Sequence, residues 1–321
     1  MSSSGLIRFL FRRILMAVPI LLLISFLVFL LVYMAPGDAA RALLGSHTAS
    51  PEVLEAIRDK YNFNDPFMVQ YGKWLWQVLN GDLGQSIQSR QLVITAITQR
   101  LGLTFLLTTY GTVIVLVIGI PLGALAAFRQ GSRYDRVVVT IGVFGVSSPA
   151  FVTGIFLLYV FGVILGLFPT FGSGHGFADR VWHLTLPAIA LSLSVLAVVI
   201  KITRASMIEE LEKDYVAFGR ARGLSKSRIT YIYVLRNALI PVVTAASLVV
   251  VGLTAGAIYV EVTFALPGLG RLLVDSVRQR DLPLIQGTTL FFSVFVIGVN
   301  LITDVIYTLI DPRVHFGKIS N

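Results

Sequence analysis

Asp304 and Asn300 stand one helical turn apart in the last long apolar run of the chain, and Glu261 closes the run before it. A carboxylate at mid-bilayer costs about 2.5–3.5 kcal/mol, so it faces protein or water, where it can pair, relay a proton or hold an ion. Near the end of its run, where Asp304 falls, that cost is smaller. Asp304 is therefore either structurally paired or placed at a solute pathway. Arg271 follows Glu261 in the next connection, and the two are candidates to brace an external gate. Pro149 interrupts another apolar run at Ser147-Ser148-Pro149, either as a packing kink or as a bend that opens a lumen or a gate.

Other chemistry is missing from the sequence. There is no GxxxxGK[ST] to cradle ATP phosphates, no HExxH and no GxSxG, and His47, His175, His183 and His315 are scattered. With no cysteine, a disulfide framework, a Cys-ligated zinc, an iron–sulfur cluster and a thiol nucleophile are excluded. No catalytic residue, no metal site and no bound cofactor are expected.

The elements that position these residues are membrane spans. The chain has 321 residues, 55% of them hydrophobic and only 13% charged, against about 25% charged in ordinary soluble domains. The net charge of +9 follows from Lys and Arg concentrated in cytoplasmic loops, and no basic-aromatic reader of nucleic acid is present. Six apolar runs, at 14–34, 101–128, 137–167, 184–200, 237–260 and 284–310, predict an all-α polytopic membrane protein with six transmembrane helices. The first is too long for the apolar part of a signal peptide and reads as an uncleaved helix, with a short interfacial helix over Ser2 to Phe11 leading into it. Lys and Arg crowd the N-terminus, the loop at Arg129, Arg133 and Arg136, the stretch 201–236 and the tail. The short connections on the other side carry only Arg180, Arg271, Arg278 and Arg280. Both termini and the stretch 201–236 are thus expected in the cytoplasm.

The region between the first two spans is too long for a simple connector. Ser50-Pro51 and Asp65-Pro66 mark two helix starts there, and Trp74, Leu75, Leu79 and Leu83 provide an apolar side. A small helical layer outside the membrane is expected. The organisation is then 1–98 for the first span with this layer, 99–312 for a five-helix core with a cytoplasmic coupling loop at 201–236, and 313–321 for a tail.

The loop 201–236 is the most informative stretch. Glu209, Glu210, Glu212, Lys213 and Asp214 carry the fourth helix past the bilayer. A short helix follows, with small residues at Ala217, Gly219 and Ala221 that let a partner's groove approach the backbone. Gly223 is placed to stop it, with Leu224 folding back as the cap's apolar contact, and Ser225 to cap the next helix. Tyr215, Phe218 and Leu224 are candidate anchors, and Arg220 and Arg222 supply charge.

Asp214-Tyr215-Val216, Arg220-Ala221-Arg222-Gly223-Leu224-Ser225 and Leu235-Arg236-Asn237-Ala238-Leu239-Ile240-Pro241 resemble the EAA loop of ABC importer permeases, in the form used by the B-type subunits of the dipeptide, oligopeptide and nickel branch. Ala35-Pro36-Gly37-Asp38, Gly81-Asp82-Leu83-Gly84, Thr203-Arg204-Ala205-Ser206-Met207, Pro267-Gly268-Leu269-Gly270-Arg271 and Asp311-Pro312-Arg313 extend the resemblance, in order, over nearly the whole chain. Two positions depart from the general loop: Ala217 stands where it has a Glu, and Phe218 where it has the first of two alanines.

The resemblance implies a type I ABC importer permease fold in a bacterial plasma (inner) membrane and a non-catalytic role in ATP-driven import. Di- or oligopeptides are the default cargo, with nickel chelates, glutathione or another small solute as alternatives. Implied partners are a second homologous permease subunit in a heterodimer, two ABC ATPase subunits carrying ATP and Mg, an extracytoplasmic substrate-binding protein and membrane lipid, with no nucleic acid. Asp214, Tyr215, Ala217, Phe218, Gly219, Ala221, Arg222, Gly223 and Leu224 would couple to an ATPase; Pro149, Glu261, Arg271, Asn300 and Asp304 are gate or pathway candidates. A reading of another class, an ion-gradient-driven secondary transporter using Asp304, has no need of a cytoplasmic cross-helix.

Overall fold

The structure is a computed structural model that describes residues 3–34, 50–60 and 64–310. Among them the secondary structure is helical: α1 (Ser3–Tyr33), α2 (Pro51–Lys60), α3 (Phe67–Leu79), α4 (Val93–Phe128), α5 (Arg133–Ser147), α6 (Ala150–Ile164), α7 (Gly176–Leu211), α8 (Asp214–Ala221), α9 (Lys226–Thr263), α10 (Leu269–Arg278) and α11 (Leu282–Ile310). Five helices, α1, α4, α7, α9 and α11, are long and apolar enough to cross a membrane.

The expected third span differs. Ser148 and Pro149 are extended (ψ 121° and 140°), so this run is two helices, α5 and α6, on either side of a break rather than one kinked helix. Proline has no N–H to donate and holds the residue before it out of the helical region, and here that effect wins over the apolar run. The stretch before the first span is helical, as expected, and continuous with it, because α1 runs unbroken from Ser3. Asp65 does not cap α3, which begins after Pro66; its carboxylate pairs with Lys73 at 2.6 Å instead. The connection after Glu261 also holds a helix, α10, that its sequence did not announce.

The chain divides into two compact units. The larger is built on Leu103–Gly270. Its core joins Leu107 and Val115 of α4, Leu184, Leu191 and Val199 of α7, and Val249, Leu253 and Val260 of α9, all buried. The smaller joins Leu6–Gly102 to Arg271–Ile297. In it Phe26, Phe29 and Tyr33 of α1 meet Phe67, Tyr71 and Trp74 of α3 with ring centroids 4.9–5.6 Å apart. Tyr71 also hydrogen-bonds Ser25 at 2.8 Å, while Trp76 and Leu79 point outward. Asp281 is fully buried in this unit, accepting from Ser86 Oγ (2.5 Å) and the Gln88 amide (3.2 Å).

Candidate coupling helix

α8 owes its ends to local sequence. Lys213 is extended and precedes it, with Asp214 in its first turn, where a negative charge suits the helix dipole. At the other end Gly223 has φ +73°, a conformation costing other residues about 1–2 kcal/mol. Its amide donates to the Arg220 carbonyl (3.0 Å), and that of Leu224 to the Gly219 carbonyl (3.1 Å). This paired pattern is a Schellman stop, and Leu224 supplies its apolar contact. Ser225 Oγ then accepts from the Arg228 amide at 3.3 Å and opens α9. The first turns of α9 relax into a wider π segment over Ile229–Val234.

Two faces result. Val216 and Gly219 are buried against Met207 of α7 and Ile229, Val234 and Ala238 of α9. A side chain at Gly219 would come within 3.3 Å of Ile229, which explains glycine there. Tyr215 and Leu224, expected as anchors for a partner, turn inward to this cluster and hold the helix in place. Asp214, Ala217, Phe218 and Ala221 recur at intervals of three and four and are all exposed, Phe218 at 71%. Arg220, Arg222 and Gly223 are exposed beside them.

A polar corner fixes α8 to α7. Tyr215 Oη donates to Glu210 Oε2 at 2.7 Å, Lys213 Nζ pairs with Glu210 Oε1, and Asn237 of α9 lies beside both Glu210 and Tyr215. Burial, and next the bond to Glu210, push the Tyr215 phenol up to about 12. The hydrogen bond to Glu210 likewise raises Lys213 above the ordinary lysine value. The phenol therefore remains a donor at neutral pH. Together these contacts hold α8 in place at the end of α7.

The other expected site residues are dispersed. Pro149 lies at the α5–α6 break. Glu261, on α9, is fully buried: Thr104 Oγ1 donates to its Oε1 at 2.6 Å and accepts from the Leu269 amide at 2.9 Å. Gly268 lies directly over the carboxylate, where a Cβ would collide with it. Arg271 pairs with Asp275 along α10 at 3.5 Å. On α11 Asn300 is exposed and Asp304 half-buried. Among the described residues no group of three or more His, Cys, Asp or Glu is placed to hold a metal ion. Asp135 pairs with Arg204, a contact announced in the sequence only by a carboxylate at the helix start Ser132-Arg133-Tyr134-Asp135.

Residues 119–316 match the model for the inner membrane component of binding-protein-dependent transport systems, and residues 6–108 match the model for the N-terminal part of such components. The chain belongs to this family. This permease is 38% identical over 309 residues to a Brucella suis protein named for peptide transport, covering 95% of this chain and 98% of that one. It is 40% identical over 311 residues to the glutathione transport system permease protein GsiC of Escherichia coli K12, covering 97% of this chain and all of the other. An inward-facing structure of the MetNI methionine ABC transporter shares the fold, with TM-score 0.55 and 17% identity, over 68% of this chain and 97% of that chain. The permease is thus a membrane subunit of an ABC importer. The ion-gradient-driven alternative for Asp304 gives way to this membership.

Proposed function

We propose that this permease forms half of the translocation pathway of a peptide importer and takes its power from an ATPase subunit docked on α8. The observation that carries the reading is the exposed stripe Asp214, Ala217, Phe218 and Ala221 on a helix whose other face is locked to α7 and α9. A large aromatic between two alanines suits a shallow groove: Phe218 fills it and the alanines let the backbones close. With Ala217 in place of a glutamate, docking rests on shape, with Arg220 and Arg222 as peripheral charges.

In this reading α8 and both termini lie in the cytoplasm, as the distribution of Lys and Arg supports. ATP and Mg bind and react on the ATPase subunits, and this chain performs no chemistry. A second homologous permease completes the pathway, and a binding protein delivers cargo from outside. Peptide cargo is supported by the names of the full-length relatives. Glutathione, itself a tripeptide, is the second reading, favoured by the end-to-end match to GsiC.

The test is reconstitution of this chain with its genomic neighbours in proteoliposomes, followed by uptake of labelled dipeptide, oligopeptide and glutathione. ATP-dependent uptake of at least one is expected. Retention of the ATPase subunits without uptake of any peptide would overturn the cargo.

A further inference from the structure

Asp135 is 4% exposed, at the start of α5, and holds Arg204 of α7 with both oxygens, at 2.5 Å to Nε and 2.7 Å to Nη2. The Gly131 amide donates to the same carboxylate at 2.9 Å, and the Ser132 hydroxyl caps the helix through the Asp135 amide. The carboxylate is therefore fixed from its own loop before it reaches α7. Farther along, α5 and α7 touch without a layer of side chains between them. A Cβ on Gly142 would stand 3.0 Å from the Ala197 Cβ, and one on Gly145 2.8 Å from the Leu193 carbonyl oxygen. In a membrane, where lipid competes equally for apolar side chains, close backbone approach and polar pairs are what hold helices together. α7 continues from Arg204 to Glu210 and hence to the corner that fixes α8. The α5 chain is unbroken until Ser148–Pro149.

We propose that the Asp135–Arg204 pair fastens α5 to α7 as one moving body, so that a displacement of α8 is delivered to the break at Ser148–Pro149. Asp135 and Arg204 are positioning residues in this scheme, which rests on α8 being the ATPase docking helix. A sliding interface would carry side chains that can exchange partners. Glycines seated on a carbonyl and on a methyl, with a two-oxygen ion pair beyond them, resist sliding along the contact.

The experiment uses the assembled transporter in proteoliposomes. Arg204→Gln is expected to keep the ATPase subunits and basal hydrolysis while lowering substrate-stimulated hydrolysis and uptake about tenfold. The exchange Asp135→Arg with Arg204→Asp should recover a substantial part of both. Unchanged stimulated hydrolysis in Arg204→Gln would overturn the proposal. Because the chain has no cysteine, Gly142→Cys with Ala197→Cys provides a second arm that does not weaken the pair. The spacing there is slightly under the ~3.5–4.5 Å of a disulfide. Oxidation should leave uptake intact, whereas loss of uptake on oxidation, reversed by reductant, would show that α5 and α7 must slide and would sink the idea. Full retention of the ATPase subunits by Phe218→Ala counts instead against the docking reading, and because uptake persists in that outcome, the cross-link still decides whether the two helices move together.

Discussion

The Tyr215 phenol donates to Glu210 Oε2 at 2.7 Å, joining the first turn of α8 to the last turn of α7. Tyr215→Phe keeps the ring and deletes that bond. A hydrogen bond to a charged group contributes about 1.5–3 kcal/mol when buried, and half-burial here brings the expected loss to about 1 kcal/mol. Thermal unfolding in detergent checks the stability term. Uptake per ATP hydrolysed should fall while ATPase retention stays near normal, since the exposed face is untouched.

Gly223→Ala strains a residue at φ +73°, and a cost of about 1–2 kcal/mol is expected. Gly223→Pro goes further, because it cannot adopt that φ and removes the amide that bonds the Arg220 carbonyl. ATP-dependent uptake should be lowered in the first and lost in the second. Intact uptake in the proline variant would show that the stop of α8 does not matter to coupling.

Phe218→Ala separates docking from folding. The side chain is 71% exposed, so stability should change by less than about 0.5 kcal/mol. Removal of an interface anchor costs about 2 kcal/mol or more, so co-purification of the ATPase subunits should weaken well over tenfold.

Gly268→Ala tests the cover on Glu261. The new Cβ collides with a carboxylate that is fully buried and bonded to Thr104, so it has nowhere to retreat. A loss of about 1–3 kcal/mol, as for overpacking elsewhere, is expected in thermal unfolding. Gly72→Ala on α3 is the control: nothing lies within 4 Å of its Cβ position, and alanine in a helix is favoured by about 0.5–1 kcal/mol.

Acid dependence should trace the Asp135–Arg204 pair. The Arg204 bond, opposed by burial, holds the Asp135 carboxyl below its usual range. A depressed folded value means that the stabilisation is present above the unfolded carboxylate pKa of about 3.9 and is lost as pH falls through the folded one. The difference in unfolding temperature between the native chain and Asp135→Asn should therefore be steady from pH 7 to 5 and shrink below about pH 4. A difference unchanged at pH 3 would contradict the pairing.

Much of α8 was legible in the sequence because its ends are set by neighbours in the chain. Gly223, Leu224 and Ser225 act within five residues of where they stand, and each does what its type suggests. The apolar runs likewise declare the long helices. What was hidden depends on contacts between distant segments. Tyr215 and Leu224 look like surface anchors until Met207 and Ile229 are brought against them. The aromatic packing of Phe26 and Phe29 on Tyr71 and Trp74 joins segments about 45 residues apart, for which local periodicity has no signal. The Asp135–Arg204 pair spans 69 positions. The split of the third run was half visible: Pro149 marked the place, but a proline can either kink a helix or break it, and an apolar run on both sides does not choose between them.

In the proposed mechanism the exposed stripe of α8 meets an ATPase in the cytoplasm. A single cysteine placed by Ala221→Cys, in a chain with no other, and carrying a photoactivatable label, tests it in inside-out and right-side-out vesicles. Cross-linking to the ATPase subunit is expected, with a yield that changes on ATP binding, and labelling by an impermeant thiol reagent only from the cytoplasmic face. Labelling from the opposite face, or cross-links to lipid and other chains but not to the ATPase in a transporter that still imports, would contradict it.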